Sequence, residues 1–184
     1  MNWWLIGIIG VVILLVIYVI GVYNSLVSLR NKVRDQYSQI DVELKRRFDL
    51  VPNLVETVKG YAKHEKETLE NVINARNSYV TSNNMSEQLK ADGELTQAIS
   101  KLFALTESYP DLKANTNFNS LQSELSEIEQ KIVYARQFYN DSVLKLNDKI
   151  EMFPSNIIAK MFNFKQEQFF EANKEERENV KVKF

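Results

Sequence analysis

The chain's single histidine, His64, is the side chain whose chemistry is best suited to catalysis. An imidazole titrates near neutral pH, so it can act as a general base or accept a phosphoryl group. Projected on a helix, His64 lies opposite the apolar stripe, where it should be exposed. This placement suits a phosphotransfer histidine, with Lys63 or Lys66 holding the phosphate. Surface histidines are common, so phosphotransfer is the secondary hypothesis and no catalytic residue is predicted.

Composition argues against several other chemistries. The chain has no cysteine, which excludes disulfides, thiolate catalysis and cysteine-based zinc sites. One histidine without metal-ligand spacing predicts no metal or other cofactor. The net charge of −1 offers no basic surface for nucleic acid. The basic cluster Lys45, Arg46 and Arg47 is interpreted as a solvated helix end.

Charged residues also fall within the apolar stripes of the predicted helices. Glu65 and Arg76 lie eleven residues apart in one stripe, too far apart to pair along one straight helix. Either their charged ends reach water near a groove or helix end, or they form a satisfied polar layer with partners on neighbouring helices. Arg136 and Glu129, on a later helix, are placed to meet Glu65 and Arg76. The predicted structural polar layer is Glu65, Arg76, Glu129 and Arg136.

Long helices must position these residues. Only five glycines and three prolines interrupt 184 residues, and no alternating β pattern is present. An eleven-residue apolar repeat after residue 24 predicts a nearly straight helix. Pro52 and the preceding Asp49 predict a break between the first and second helices. The predicted helices are residues 3–47, 51–81, 86–108 and 117–152.

The first 21 residues of the leading helix, 3–23, carry no charge. Their length of about 30 Å matches a bilayer core, and aromatic residues mark both ends. Only Met1 and Asn2 precede the apolar run and no small-residue cleavage site follows, so we expect an uncleaved anchor. Basic residues follow the span at Arg30, Lys32 and Arg34, which predicts an external N-terminus and a cytoplasmic bundle.

An apolar segment, residues 153–170, follows the last long helix. In an up-and-down bundle this segment returns to the membrane face. It either caps the end of the bundle or forms an interfacial or partner-binding surface. Its apolar residues are Phe153, Ile157, Ile158, Met161, Phe162, Phe164, Phe169 and Phe170. The charged residues that follow predict a mobile tail.

Several motifs, in order along the whole chain, resemble the LemA family. Tyr37 departs from the family pattern, because many members carry tryptophan there. The resemblance implies a single-pass bacterial membrane protein with an antiparallel bundle of long helices, and it implies no enzyme activity. The motifs are Tyr23-Asn24, residues 40–55 (IDVELKRRFDLVPNLV), 58–62 (VKGYA), 64–66 (HEK), Ala75-Arg76, 109–115 (YPDLKAN), Leu121-Gln122, Glu124-Leu125, Ala135-Arg136, Tyr139-Asn140 and 153–155 (FPS).

Together these features predict an all-α protein in which a transmembrane helix continues into an elongated antiparallel up-and-down four-helix bundle. The predicted regions are an anchor (1–23), a LemA-like bundle (24–164) and a charged tail (165–184). The predicted function is that of a non-catalytic membrane-anchored scaffold in the bacterial inner membrane. Its expected partners are the bilayer, through residues 3–23, unidentified proteins and a second copy of the chain. The alternative is a signalling module acting through His64.

Overall fold

The computed structural model describes residues 3–82 and 85–170, and within these ranges every regular element is a helix. The all-α prediction is confirmed. The elements are α1 (Trp3–Lys59), α2 (Lys66–Val80), α3 (Met85–Thr106), α4 (Pro110–Lys113), α5 (Thr116–Glu151) and α6 (Ser155–Met161).

Helix α1 does not end before Pro52, so the predicted break was wrong. The helix continues to Lys59, and the predicted second helix begins only at Lys66. Buried residues keep one register across the proline, because Val22, Val33, Leu44 and Val55 follow one another at intervals of eleven. Proline removes one helical donor, which would have bonded the carbonyl of Phe48, and the apolar stripe holds the helix together on both sides.

The apolar N-terminal part of α1 is long enough to cross a membrane, and almost none of it is buried. Among the described helices it alone meets this criterion. A core helix of a soluble protein would have its apolar residues covered by other elements, whereas here Ile6 to Ile17 are largely bare. The exposure supports the predicted span over the alternative of a buried core helix.

The later helices follow the predicted boundaries closely. Helices α3 and α5 begin and end within about two residues of the predicted ones, as helix ends generally allow. Asn115 caps α5, because its Oδ1 accepts a hydrogen bond of 3.0 Å from the backbone N–H of Phe118. The short helices α4 and α6 were not predicted, since four and seven residues give too little periodicity to recognise.

The chain forms two compact units, each with its own core. Of the described residues, the first contains 3–40 and 134–170, and the second contains 41–82 and 85–133. In the first unit, buried residues of α1, α5 and α6 form the core. In the second, α1, α2, α3 and α5 contribute: Phe48 stacks on Tyr79, and Phe103 meets Phe118 edge to face.

Candidate functional site

Helix α6 in the first unit has an inner and an outer side, and both are largely apolar. Ser155, Ile158 and Ala159 are buried. Phe153, Ile157 and Met161, spaced four residues apart, are instead 80%, 59% and 63% exposed. The predicted apolar segment is therefore partly a cap on its own unit and partly a free surface. We call Phe153, Ile157 and Met161 the α6 outer surface.

A tight turn after α6 directs two aromatic rings onto α1. Asn163 adopts a positive φ of 56°. The N–H of Phe164 donates to the carbonyl of Ala159, and that of Asn163 to Lys160. These two bonds define a Schellman motif, in which asparagine tolerates the left-handed position. The turn brings Phe162 within 4.8 Å and Phe164 within 5.9 Å of Tyr23, measured between ring centroids.

The residues after the turn, 164–170, run extended along α5, and we call them the strap. Asn147 accepts from the backbone N–H of Glu167 and donates to its carbonyl, at 3.0 and 2.9 Å. Asn140 binds the backbone of Phe170 in the same paired way, at 2.8 and 2.9 Å. The predicted tail began at residue 165, yet residues 165–170 are held by these bonds. Residues 171–184, the rest of that tail, lie outside the described residues.

The strap ends in an aromatic pocket of the first unit. The Phe170 ring packs edge to face on Tyr139 at 5.0 Å and stacks near Tyr37 at 6.4 Å. The guanidinium of Arg136 lies 5.8 Å from the centre of the same ring. Arg136, predicted to belong to a polar layer, thus contributes a cation–π contact to the pocket. Tyr37, at the position where many family members carry tryptophan, forms one aromatic wall of the pocket.

The pocket also changes the acidity of Tyr139, which donates a hydrogen bond to the carbonyl of Gln168. Burial, followed by the charge of Glu167 and the neighbouring Tyr37, raises the pKa of Tyr139 to about 12. The unfolded chain should release this proton near pH 10. The folded state holds this proton more tightly than the unfolded chain does. Its contribution to the free energy of unfolding is therefore fully present below pH 10 and is lost as the pH rises toward 12.

We therefore expect the strap to loosen between pH 10 and pH 12. The variant Tyr139→Phe should show a weaker pH dependence, because it has no hydroxyl proton to lose. It should also hold the strap less tightly at neutral pH, because the bond to Gln168 is lost. Amide exchange at Glu167 and Phe170, corrected for intrinsic rates, measures both effects. Tyr134→Phe is the matched control, because Tyr134 is exposed on the same helix. An equal response of both variants would contradict a role for Tyr139.

A buried ionic cluster occupies the core of the second unit. Arg47 is only 2% exposed and donates to Asp92 Oδ1 at 2.6 Å, to Thr96 Oγ1 at 2.9 Å, and to Glu129. The interpretation of Arg47 as part of a solvated basic cluster was wrong, although Lys45 and Arg46 are exposed. The spacing Ile40, Leu44, Arg47 and Val51 places Arg47 in the apolar stripe, which the sequence could have revealed.

A cavity of about 230 Å³ lies beside this cluster in the second unit. Arg47 and Glu129 line it together with Ser100, Gln122 and Ser126. The cavity lining offers one carboxylate, that of Glu129, beside the guanidinium of Arg47, and this pair does not form a metal site. No cluster of metal-ligating side chains occurs in residues 3–82 or 85–170. The hydrogen bonds of Arg47 account for the polar side chains in the core of the second unit.

Arg76 has a different partner from the predicted Glu129. Its Nε donates to the backbone carbonyl of Phe48 at 3.3 Å. Phe48 lies four residues before Pro52, so its carbonyl is the one that a proline leaves without a helical donor. Arg76 on α2 therefore satisfies the acceptor that Pro52 frees within α1.

This assignment predicts a coupling between Arg76 and Pro52. Arg76→Met should lower the free energy of unfolding by about 1–3 kcal/mol, because it leaves a carbonyl unpaired. In a Pro52→Ala background the new N–H can bond Phe48, so the same change should have a smaller effect. Urea denaturation of the original chain, the two single variants and the double variant gives the coupling energy. Simple additivity would disprove the assignment.

Glu65 and His64 lie between α1 and α2 rather than within a helix. Glu65 accepts a hydrogen bond of 3.1 Å from the hydroxyl of Tyr109. Burial, and then this bond and the nearby carboxylate charge, raise the pKa of Tyr109. His64 is exposed, as predicted. Glu65, Arg76 and Glu129 thus contact the Tyr109 hydroxyl, the Phe48 carbonyl and Arg47, which are partners that the sequence did not indicate.

Comparison with known proteins supplies the family. Residues 36–184 match the profile of the LemA family. Protein LemA of Metamycoplasma hominis is 27% identical over 165 residues, covering 88% of this chain and 74% of the relative. Magnetosome protein MamQ 2 of Paramagnetospirillum magneticum is 24% identical over 175 residues, covering 81% of this chain. The match spans 64% of that magnetosome protein, which is less than two thirds of its length. The resemblance noted in the motifs is confirmed, and the chain belongs to the LemA family.

Proposed function

We propose that this protein is a membrane-anchored helical scaffold that acts by binding other proteins and has no catalytic activity of its own. The observation that carries the proposal is the apolar, uncovered N-terminal part of α1, which continues without interruption as a helix into both units. Such a helix joins the folded part of the chain directly to the bilayer. Residues 3–23 form the single span, and residues 24–164 form an antiparallel four-helix bundle.

The anchor can be tested by fractionation. The full chain should stay in the membrane pellet after alkaline carbonate washing, whereas a chain lacking residues 1–23 should move to the soluble fraction.

The proposed orientation, with the N-terminus outside and the bundle in the cytoplasm of the cell, follows from Arg30, Lys32 and Arg34. A reporter fused after Phe184 that is active only outside the cytoplasm would reverse this orientation.

Two exposed aromatic side chains make α5 a suitable place to look for partners. Tyr134 and Phe138 lie one turn apart in the first unit and are both exposed. A photo-crosslinker at Phe138 should capture a protein in intact cells, either a different chain or a second copy of this one. The control is a crosslinker at the exposed Lys145 on the same helix. Recovery of monomer alone from both positions would count against the scaffold.

A second candidate function is phosphotransfer through His64, which is favoured by the exposure of this side chain in the turn between α1 and α2. Lys63 is exposed beside it and could hold a phosphoryl group. Radiolabelled phosphate transferred from a response regulator, and lost in His64→Ala, would support this function. Equal labelling of the variant would eliminate it.

A further inference from the structure

The α6 outer surface consists of apolar side chains that no described part of the protein covers. Ile157 and Met161 lie four residues apart on α6, so they project from one side of the helix, and Phe153, in the turn before α6, adds a third exposed apolar side chain. The opposite side is buried in its own unit, which fixes the orientation of α6. Phe162 and Met152 extend the exposed apolar area at the two ends of the helix. A contiguous patch of this kind generally marks a surface that is covered in the working protein.

The position of α6 indicates what covers it. Phe162, which directly follows α6, touches Tyr23, the last residue of the apolar segment 3–23. An aromatic residue at the end of a span lies at the level of the lipid headgroups. Since Phe162 is in ring contact with Tyr23, α6 must lie near that same level. The occupant of its outer surface is therefore the bilayer that α1 crosses.

The charges around α6 agree with a lipid surface. Residues 152–166 contain no acidic side chain, whereas Lys160 and Lys165 are exposed there. Arg30, on α1 just beyond the span, lies 5.1 Å from the centre of the Phe164 ring. Basic and aromatic side chains together are typical of the headgroup region, where anionic lipids attract the positive charge.

We propose that the α6 outer surface inserts into the boundary between headgroups and acyl chains, as a second membrane contact of this protein. The inference rests on the proposed anchor function, because α6 is too short to bind lipid unaided and depends on α1 to bring it there. The second contact restricts how α1 can tilt and rotate, since the rigid first unit touches the bilayer at two points.

Spin labelling tests this placement directly, because the chain contains no cysteine and each introduced one is unique. The full-length variant Ile157→Cys carries a nitroxide and is reconstituted in vesicles of phosphatidylcholine and phosphatidylglycerol. Its collision rates with oxygen, which concentrates in lipid, and with a water-soluble nickel chelate give its depth. Ile8→Cys, in the span, and Asp141→Cys, exposed on α5, are the lipid and water references.

We expect the ratio of oxygen to chelate collisions at residue 157 to be several-fold higher than at residue 141. If the ratio at residue 157 equals that at residue 141, the inference about α6 is overturned. If residue 8 still gives a lipid-like ratio in that case, the anchor remains supported. A water-like ratio at residue 8 would instead refute the anchor itself. Protection of residue 157 from both reagents would also overturn the lipid contact, because it would show that protein rather than lipid covers this surface.

Discussion

Replacing Arg47 with alanine should lower the free energy of unfolding by about 3–5 kcal/mol, because it removes the guanidinium that pairs with the buried carboxylate of Asp92. The effect is large since Asp92 is 4% exposed and cannot regain water without opening the core. Glu129, by contrast, is half-exposed and can turn to solvent. Urea denaturation of the full chain in detergent micelles, followed by circular dichroism, measures the loss.

Arg46→Ala is the matched control for this experiment. Arg46 is adjacent in the chain and pairs with Glu43 on the surface of the same helix, where an ion pair contributes about 0–1 kcal/mol. Arg47→Lys should recover little stability, since an ammonium cannot reproduce the planar contacts to several acceptors. The double variant Arg47→Met with Asp92→Leu should recover much of it, because no buried charge remains. Similar losses for Arg46→Ala and Arg47→Ala would show that the cluster is unimportant.

Replacing Phe170 with alanine should release the strap from α5. The ring is 8% exposed and fills the pocket formed by Tyr37, Tyr139 and Arg136. Removing a buried phenyl ring costs about 3 kcal/mol or more. Amide exchange at Glu167 and at residue 170 should therefore accelerate by roughly a hundredfold, at about 1.4 kcal/mol for each factor of ten.

The neighbouring Phe169 provides the control for the strap. Its ring is 45% exposed, so Phe169→Ala should change exchange at Glu167 only slightly. Asn147→Ala should give an intermediate effect, because it removes two hydrogen bonds while the phenyl ring stays in place. If the amide of Glu167 exchanges at the same rate in Phe170→Ala and Phe169→Ala, the aromatic pocket does not hold the strap.

The strap and α6 could be predicted only in part from the sequence. Their apolar residues are evident, but their order does not say which side chains are buried. Ile158 and Phe170 are covered while Ile157 and Phe169 are not, a division set by the turn at Asn163 and by backbone pairing with Asn140 and Asn147 on a distant helix. Asparagine is also frequent on exposed helix faces, so its partners cannot be inferred from its position.

Pro52 shows a similar limit. A proline predicts the end of a helix because it removes a donor, and this local rule fails when a residue from elsewhere supplies the missing bond. Here Arg76, 24 positions later, donates to the carbonyl of Phe48. The eleven-residue register on both sides of the proline was the available signal that α1 continues.

By itself, the sequence determined the features that depend on neighbours along the chain: the apolar segment 3–23, the helical class, and the extent of α3 and α5. Hydrophobic periodicity and the scarcity of glycine and proline are sufficient for these, because helical hydrogen bonds are local. The tertiary structure alone decided the partners of the charged residues. Arg47 lies between Asp92 and Glu129 since packing brings three helices together and excludes water there, and a buried charge must then find its opposite.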